Sequence, residues 1–298
     1  MQGADRRQFL FGLGLAAACS KSKLPSAFAG TGSAAPAPHL TPPKHGAINV
    51  AFVISERAVV IDWAGPWEVF QDADVGGAPG FNLYTVAESL DPVTASAGLQ
   101  IVPNYTFDTA PAPQVIVIPA QRSRSPKLLE WIRTRSASTD LTMSVCSGAF
   151  VLAATGLLSG KRATTFHQAY ERLAAQYPDV TVVRGARFIE DGNVASAGGL
   201  SSGIDLALRV VERYYGREAA ERTAYDLEYQ GEGWKDPSSN QRYAHLAPTT
   251  GTACPVCGMP VDPRGAPTSS VDGRTYYFCS PDDKAVFDEA PAKFTAKR

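Results

Sequence analysis

The sequence carries no bias of charge. Its 298 residues hold 28 Lys and Arg against 29 Asp and Glu, a formal net charge of −1. Without an excess of cations there is no electrostatic footprint for a polyphosphate, so nucleic acid is not an expected partner. No apolar run is long enough to cross a bilayer, which takes about 20 residues. No internal repeat is present. Cysteine is sparse: Cys19, Cys146, Cys254, Cys257 and Cys279 are the five. Three of them crowd the end of the chain, and an odd cluster of three argues for a metal or a reactive thiol over a simple disulfide frame. The 44% of hydrophobic residues suits a soluble globular protein with one large domain or two unequal ones.

The first 29 residues read as a targeting segment. Asp5-Arg6-Arg7-Gln8-Phe9-Leu10 opens an apolar run to Ala18, too short for a membrane span and right for a signal core. Paired arginines ahead of Phe-Leu resemble a twin-arginine export signal, which places the protein in the periplasm. Ala27-Phe28-Ala29 before Gly30 fits signal peptidase. Ala16-Ala17-Ala18-Cys19 is the competing site and resembles a lipoprotein box with Cys19 lipidated. That box usually carries a larger aliphatic residue where Ala16 stands, so soluble export is the favoured reading. Residues 30–46, rich in Ala, Pro, Gly and Ser, read as a linker.

From Ala47 to about residue 232, strands alternate with helices, the pattern of an α/β domain with a mostly parallel sheet. Its organising stretch is residues 141–156. Leu141-Thr142-Met143-Ser144-Val145 is a short apolar strand, and Ala149 to Ala154 is small and apolar at helical spacing. The change falls at Cys146-Ser147-Gly148. A thiol there sits at a helix N-terminus, where amides and dipole lower its pKa. The alternative is a small buried core cysteine. Ligands of such sheets gather at the carboxyl ends of the strands, where Cys146 lies.

Three ordered stretches then resemble one family. "VIDWAGPWEVF", "SVCSGAFVLAATGLLSGKRATT" and "SAGGLSSGIDLAL" are similar to the DJ-1/PfpI superfamily, in the branch of isonitrile hydratase and of the amidase-like domains of some transcription regulators. No DNA-binding helix pair follows them. The resemblance implies a flavodoxin-like three-layer sandwich that forms a homodimer and acts on a small-molecule substrate without a cofactor. It implies that Cys146 is the nucleophile and that Asp62 hydrogen-bonds it, a place from which a carboxyl can hold or deliver a proton. Asp62 can equally be an N-cap or dipole partner of its own helix. Ser147 would bind developing negative charge through its N–H, and its hydroxyl could bond the acid. The second amide comes in the family from a Gly-Gly; here Pro119-Ala120-Gln121 stands there, leaving Ala120. A family histidine after Thr-Thr is replaced by Phe166, with His167 next as a candidate base or a surface histidine at a helix start.

Residues 233–250 read as a second linker, polar and without period. The last unit, 251–298, carries Cys254-Pro255-Val256-Cys257-Gly258-Met259, then Tyr276-Tyr277-Phe278-Cys279 and Phe287. It resembles a YHS domain, a small treble-clef-like module associated with metals. Thiolates at i and i+3 with a distant third can grip one ion. Relatives often carry a fourth cysteine four residues after the third; here it is Asp283. Three thiolates and a carboxylate suit zinc. Three thiolates with Met259 suit copper(I). A Cys254–Cys257 disulfide with Cys279 buried is the alternative. The combined expectation is an exported cysteine-dependent hydrolase or lyase of the DJ-1/PfpI type with a metal-binding tail; if it follows the hydratase branch, it hydrates isonitriles to formamides. The rival is a non-enzymatic periplasmic redox- or metal-responsive protein.

Overall fold

The computed structural model describes residues 37–44, 46–244, 252–256 and 261–295. Residues 1–29, read above as a signal, together with Cys257 and Met259, lie outside them. Strand β1 (Ile48–Val53) separates two cores by its pleat. Ile48, Val50 and Phe52 join one apolar cluster, Ala51 and Val53 the other. Helix α1 (Val60–Gln71) and β2 (Phe81–Ala87) follow, then the small ladder β3 (Val93–Thr94) with β4 (Gln100–Ile101), and β5 (Tyr105–Thr106). Next come β6 (Val115–Ile118), α2 (Pro126–Ser136), β7 (Leu141–Val145) and α3 (Ala149–Ala154). Helix α2 starts where the sequence signals it. Pro126 opens it and the Ser125 hydroxyl accepts the Leu128 N–H at 3.1 Å. After β8 (Arg162–Ala163), α4 (Tyr170–Gln176) and β9 (Thr181–Val182), the chain forms β10 (Phe188–Asp191), β11 (Val194–Ala197), α5 (Ser202–Tyr215) and α6 (Arg217–Asp226).

The main sheet has seven strands in the order β10-β11-β7-β6-β1-β2-β5. Only β10 against β11 is antiparallel. One face is covered by α1, α5 and α6, whose Val69, Phe70, Leu206, Val210 and Ala220 share the first cluster. The other carries α2, α3 and α4, through Leu128, Ile132, Phe150, Leu152 and Leu173. This is the expected flavodoxin-like sandwich. Two strand-like stretches, residues 100–107 and 180–190, are broken. Pro103 has no N–H for a ladder and interrupts 100–107. Gly185, at φ 70°, turns the chain inside 180–190. Among the described residues, no helix is long and apolar enough to cross a membrane.

The expected second linker is corrected over residues 233–244. Trp234 is 2% exposed and belongs to the α1–α5 core. The Pro237 carbonyl accepts the Arg187 N–H at 2.6 Å. The chain therefore stays on the domain for a further turn of polar sequence, because one indole anchors it. The tail then forms a hairpin of β12 (Thr268–Val271) and β13 (Arg274–Tyr277), followed by α7 (Pro281–Glu289) and α8 (Ala292–Thr295). Asp272 and Gly273, both at positive φ, make its two-residue turn. Among the described residues its buried core is Cys254, Val256, Phe278 and Phe287, a small hydrophobic supply for an independent unit.

Candidate active site and tail thiol cluster

The elbow is built from backbone strain. Cys146 follows the last residue of β7 and holds φ 57°, in the left-handed region that a side chain resists. Its neighbours fix it there. The Cys146 N–H donates to the Gly198 carbonyl at 2.9 Å, and the Thr165 hydroxyl donates to the Cys146 carbonyl at 2.9 Å. Gly148 lets the following turn press on β6: a Cβ there would lie 2.2 Å from the Ile118 carbonyl oxygen. The sulfur is thus presented at the carboxyl end of a central strand.

Asp62 comes from the first turn of α1, not from its N-cap, which is Val59. The residue is fully buried. Its Oδ2 accepts the Ala120 N–H at 3.0 Å, and among the described residues Oδ1 has no hydrogen-bond partner. Burial pushes the carboxyl up to about 7, against the Ala120 N–H and the nearby Cys146 thiol, which both favour its charge. Burial, then the Asp62 charge, pushes the Cys146 thiol up to about 12. The sulfur's charge is favoured by the N–H groups of Leu200 and Ser147 and by the Ser147 hydroxyl. Between those values the pair holds one proton.

Three expectations change here. Cys146 is not a low-pKa, solvent-reachable thiol. It is 7% exposed, and the helix behind it has only six residues, so desolvation outweighs the dipole. Ala120 is not a spare oxyanion donor, since its N–H is held by Asp62. The Ser147 hydroxyl bonds the sulfur, while no hydrogen bond to Asp62 is found among the described residues. Leu200, which side-chain reasoning passed over, supplies an amide in Ala120's place. It too is strained, at φ 36°. The signal was the Gly198-Gly199 step before it, which lets backbone approach closely.

His167 stands apart from the pair. Its ring stacks on Tyr243 at 5.1 Å and meets Phe166 at 4.5 Å, and burial lowers its pKa. Among the described residues it makes no hydrogen bond to Cys146 or Asp62. It lines a cavity of about 170 Å³ with Phe166, Tyr170, Asn240, Tyr243 and Leu200, the last being the residue whose amide also meets the Cys146 sulfur. Arg187 forms part of the wall, fixed by a 2.5 Å ion pair to the fully buried Asp205 and by the Asn240 carbonyl at 3.3 Å.

In the tail, Asp283 sits in the first turn of α7, capped by Ser280, whose hydroxyl accepts the Asp283 N–H at 3.1 Å. The Cys254 and Cys279 thiols donate to Asp283 Oδ2 at 3.4 and 3.3 Å. One donor atom from each of the three residues lies within 4.8 Å of the others. A tetrahedral ion with its sulfur and oxygen at ordinary distances separates them by about 3.5 Å, so this set fits one ion. The expected third thiol, Cys257, lies outside the described residues. Cys279 is exposed and Cys254 buried.

Comparison with known proteins agrees with the geometry. Residues 48–213 match the DJ-1/PfpI family and residues 253–298 the YHS domain. The chain is 35% identical over 188 residues to isonitrile hydratase from Pseudomonas putida, covering 61% of this chain and 79% of that protein. It is 25% identical over 187 residues to the HTH-type transcriptional regulator GbdR of Pseudomonas aeruginosa, of which it spans 51%. A THiJ/PfpI family crystal structure from Pseudomonas syringae superposes with a TM-score of 0.57 at 31% identity, over 63% of this chain and 77% of that one. With a strained elbow cysteine, an acid beside it and a family match over most of the sheet, the chain belongs to the DJ-1/PfpI family and carries a C-terminal YHS domain.

Proposed function

We propose that the protein is a cysteine-dependent enzyme that hydrates isonitriles to N-substituted formamides. The observation that carries this reading is the buried Asp62–Cys146 pair, which holds one proton beside the Leu200 and Ser147 amides. Asp62 takes the thiol proton as sulfur bonds to the terminal isonitrile carbon, and then delivers it to that carbon. The product is a thioimidate, R–N=CH–S. Water adds to the same carbon, one proton passes to nitrogen and the C–S bond breaks. Formamide leaves and the thiol returns. The N–H groups at the sulfur stabilise charge on it at departure. The cavity beside Leu200 takes the substituent on nitrogen. The relative active on isonitriles supports this choice of substrate class.

The test is formamide release from a panel of alkyl and aryl isonitriles by wild type and Cys146→Ala. Release should appear only with wild type. Equal release by both would overturn the reading. The same proposal takes residues 1–29 as a twin-arginine signal that sends the chain to the periplasm, checked by cell fractionation with Arg6 and Arg7 changed to Lys. It takes the assembly as a homodimer, checked by light scattering. The tail is read as the holder of a metal ion. A donor set that includes a carboxylate favours zinc over copper(I).

A further inference from the structure

The contact that joins the two domains is unusual in what it touches. Arg172 projects from α4 of the DJ-1/PfpI domain. Its Nη1 lies 2.6 Å from Asp283 Oδ1, with side chains 21% and 4% exposed. The other oxygen, Oδ2, is the one bonded by both thiols. The guanidinium also lies over the Phe150 ring, 4.4 Å from its centroid, so α3 backs it on the far side. Its Nε is buried, with no hydrogen bond among the described residues. Arg172 therefore gives its described polar contact to the carboxylate of the thiol cluster, and an aromatic ring keeps it aimed there.

Charge explains why the arrangement is needed. To take an ion the two thiols must give up their protons, which leaves two thiolates and a carboxylate repelling one another within 4.8 Å. One guanidinium offsets one of the three negative charges, and a dication supplies the other two. A carboxylate can also rotate, and pinning Oδ1 leaves Oδ2 fixed toward the sulfurs. Groups that orient metal ligands in this way commonly change affinity by about 10–100-fold when removed.

We propose that Arg172 is a positioning residue for the tail's metal site: it holds Asp283 as an oxygen ligand beside Cys254 and Cys279, so a zinc-class dication is bound with an affinity set by both domains. This rests on the reading of the tail as a metal holder. The ligand set departs from an all-thiolate one because a carboxylate can take a guanidinium partner where a thiolate makes a poor one.

The experiment uses the full chain under reducing conditions and measures zinc affinity by competition with a chromophoric chelator. Arg172→Ala should weaken zinc binding by about 10-fold or more. Arg172→Lys should recover part of the loss, since an ammonium can meet Oδ1 but not back onto Phe150 as a plane. Asp283→Cys supplies a ligand that needs no guanidinium, so Arg172→Ala combined with Asp283→Cys should bind zinc as tightly as Asp283→Cys alone. Cobalt(II) in place of zinc gives a second readout: its visible bands should change with Asp283→Cys and stay in place with Arg172→Lys. Wild-type affinity in Arg172→Ala overturns the inference. Weak binding that Asp283→Cys does not rescue also overturns it, since Arg172 then acts on the tail's fold. A wild type that binds no zinc overturns the metal reading itself, and so is distinguishable from both.

Discussion

Two places in this chain set an aspartate against cysteine sulfur, and they do opposite things with it. At the elbow, Asp62 is buried with an amide and a thiol, and no cation pairs with it among the described residues. Burial then holds a proton in the pair. In the tail, Asp283 faces a guanidinium at 2.6 Å on one oxygen and two thiols on the other. That carboxylate has a counter-charge and can serve as a ligand. The counter-charge, not the residue pair, separates a carboxyl suited to carry a proton from one suited to meet a metal ion.

The largest effect should come from removing the elbow acid. Asp62→Asn should lower isonitrile turnover by about 10²–10⁴-fold, the usual contribution of a positioned acid–base group, measured by steady-state kinetics. Turnover within a few-fold of wild type would end the contrast.

A third aspartate sharpens it. Asp205 is as buried as Asp62 but has Arg187 against it, and burial raises its pKa while that guanidinium opposes the rise. Arg187→Ala leaves an unpaired buried charge and should cost about 3–5 kcal/mol in urea unfolding. Trp234→Ala should cost about 3 kcal/mol by the same measurement, whereas a truncation ending at Ala244 should keep the first thermal transition.

The pH dependence follows from the sign of the Asp62 shift. Its folded pKa, about 7, lies above the ordinary 3.8. The protonated group thus contributes stability that is complete below 3.8 and is lost as pH rises through 7. Asp62→Asn should therefore gain on wild type in thermal midpoint between pH 4 and 8. Over the same range wild-type turnover should rise through about 7 as the carboxylate becomes available as a base. A midpoint difference that does not move with pH would place the proton elsewhere. The smallest effect concerns access: iodoacetamide should label exposed Cys279 before buried Cys146, and zinc should slow only the former.

Much of this was readable from residue order. The period of β1 and the run from Leu141 to Ala154 gave the sheet and the elbow, because buried strands and small-residue helices leave periodic apolar traces. Asp62, Cys146, Cys254, Cys279 and Asp283 stood out by motif spacing. Leu200 did not, because it acts through its amide and any side chain would mask that. Trp234 was hidden in polar sequence, where one indole gives no period. Arg172 looked like a solvated charge on an amphipathic helix, and its partner lies 111 positions away. The low thiol pKa failed for another reason: sequence shows the helix start but not how much water the fold removes.

The strained backbone at Cys146 and Leu200 bears on how such a chain would drift under selection. Both positions would be relaxed by glycine, which adopts positive φ without a steric penalty. A population screened for heat resistance alone should accumulate glycine at 146 and 200, and at 146 the thiol would disappear with it. Screening for turnover and heat together should spare both sites and place its gains elsewhere, for instance on exposed helix faces. Sequencing the survivors of the two screens would show whether cysteine persists at 146 only where chemistry is demanded.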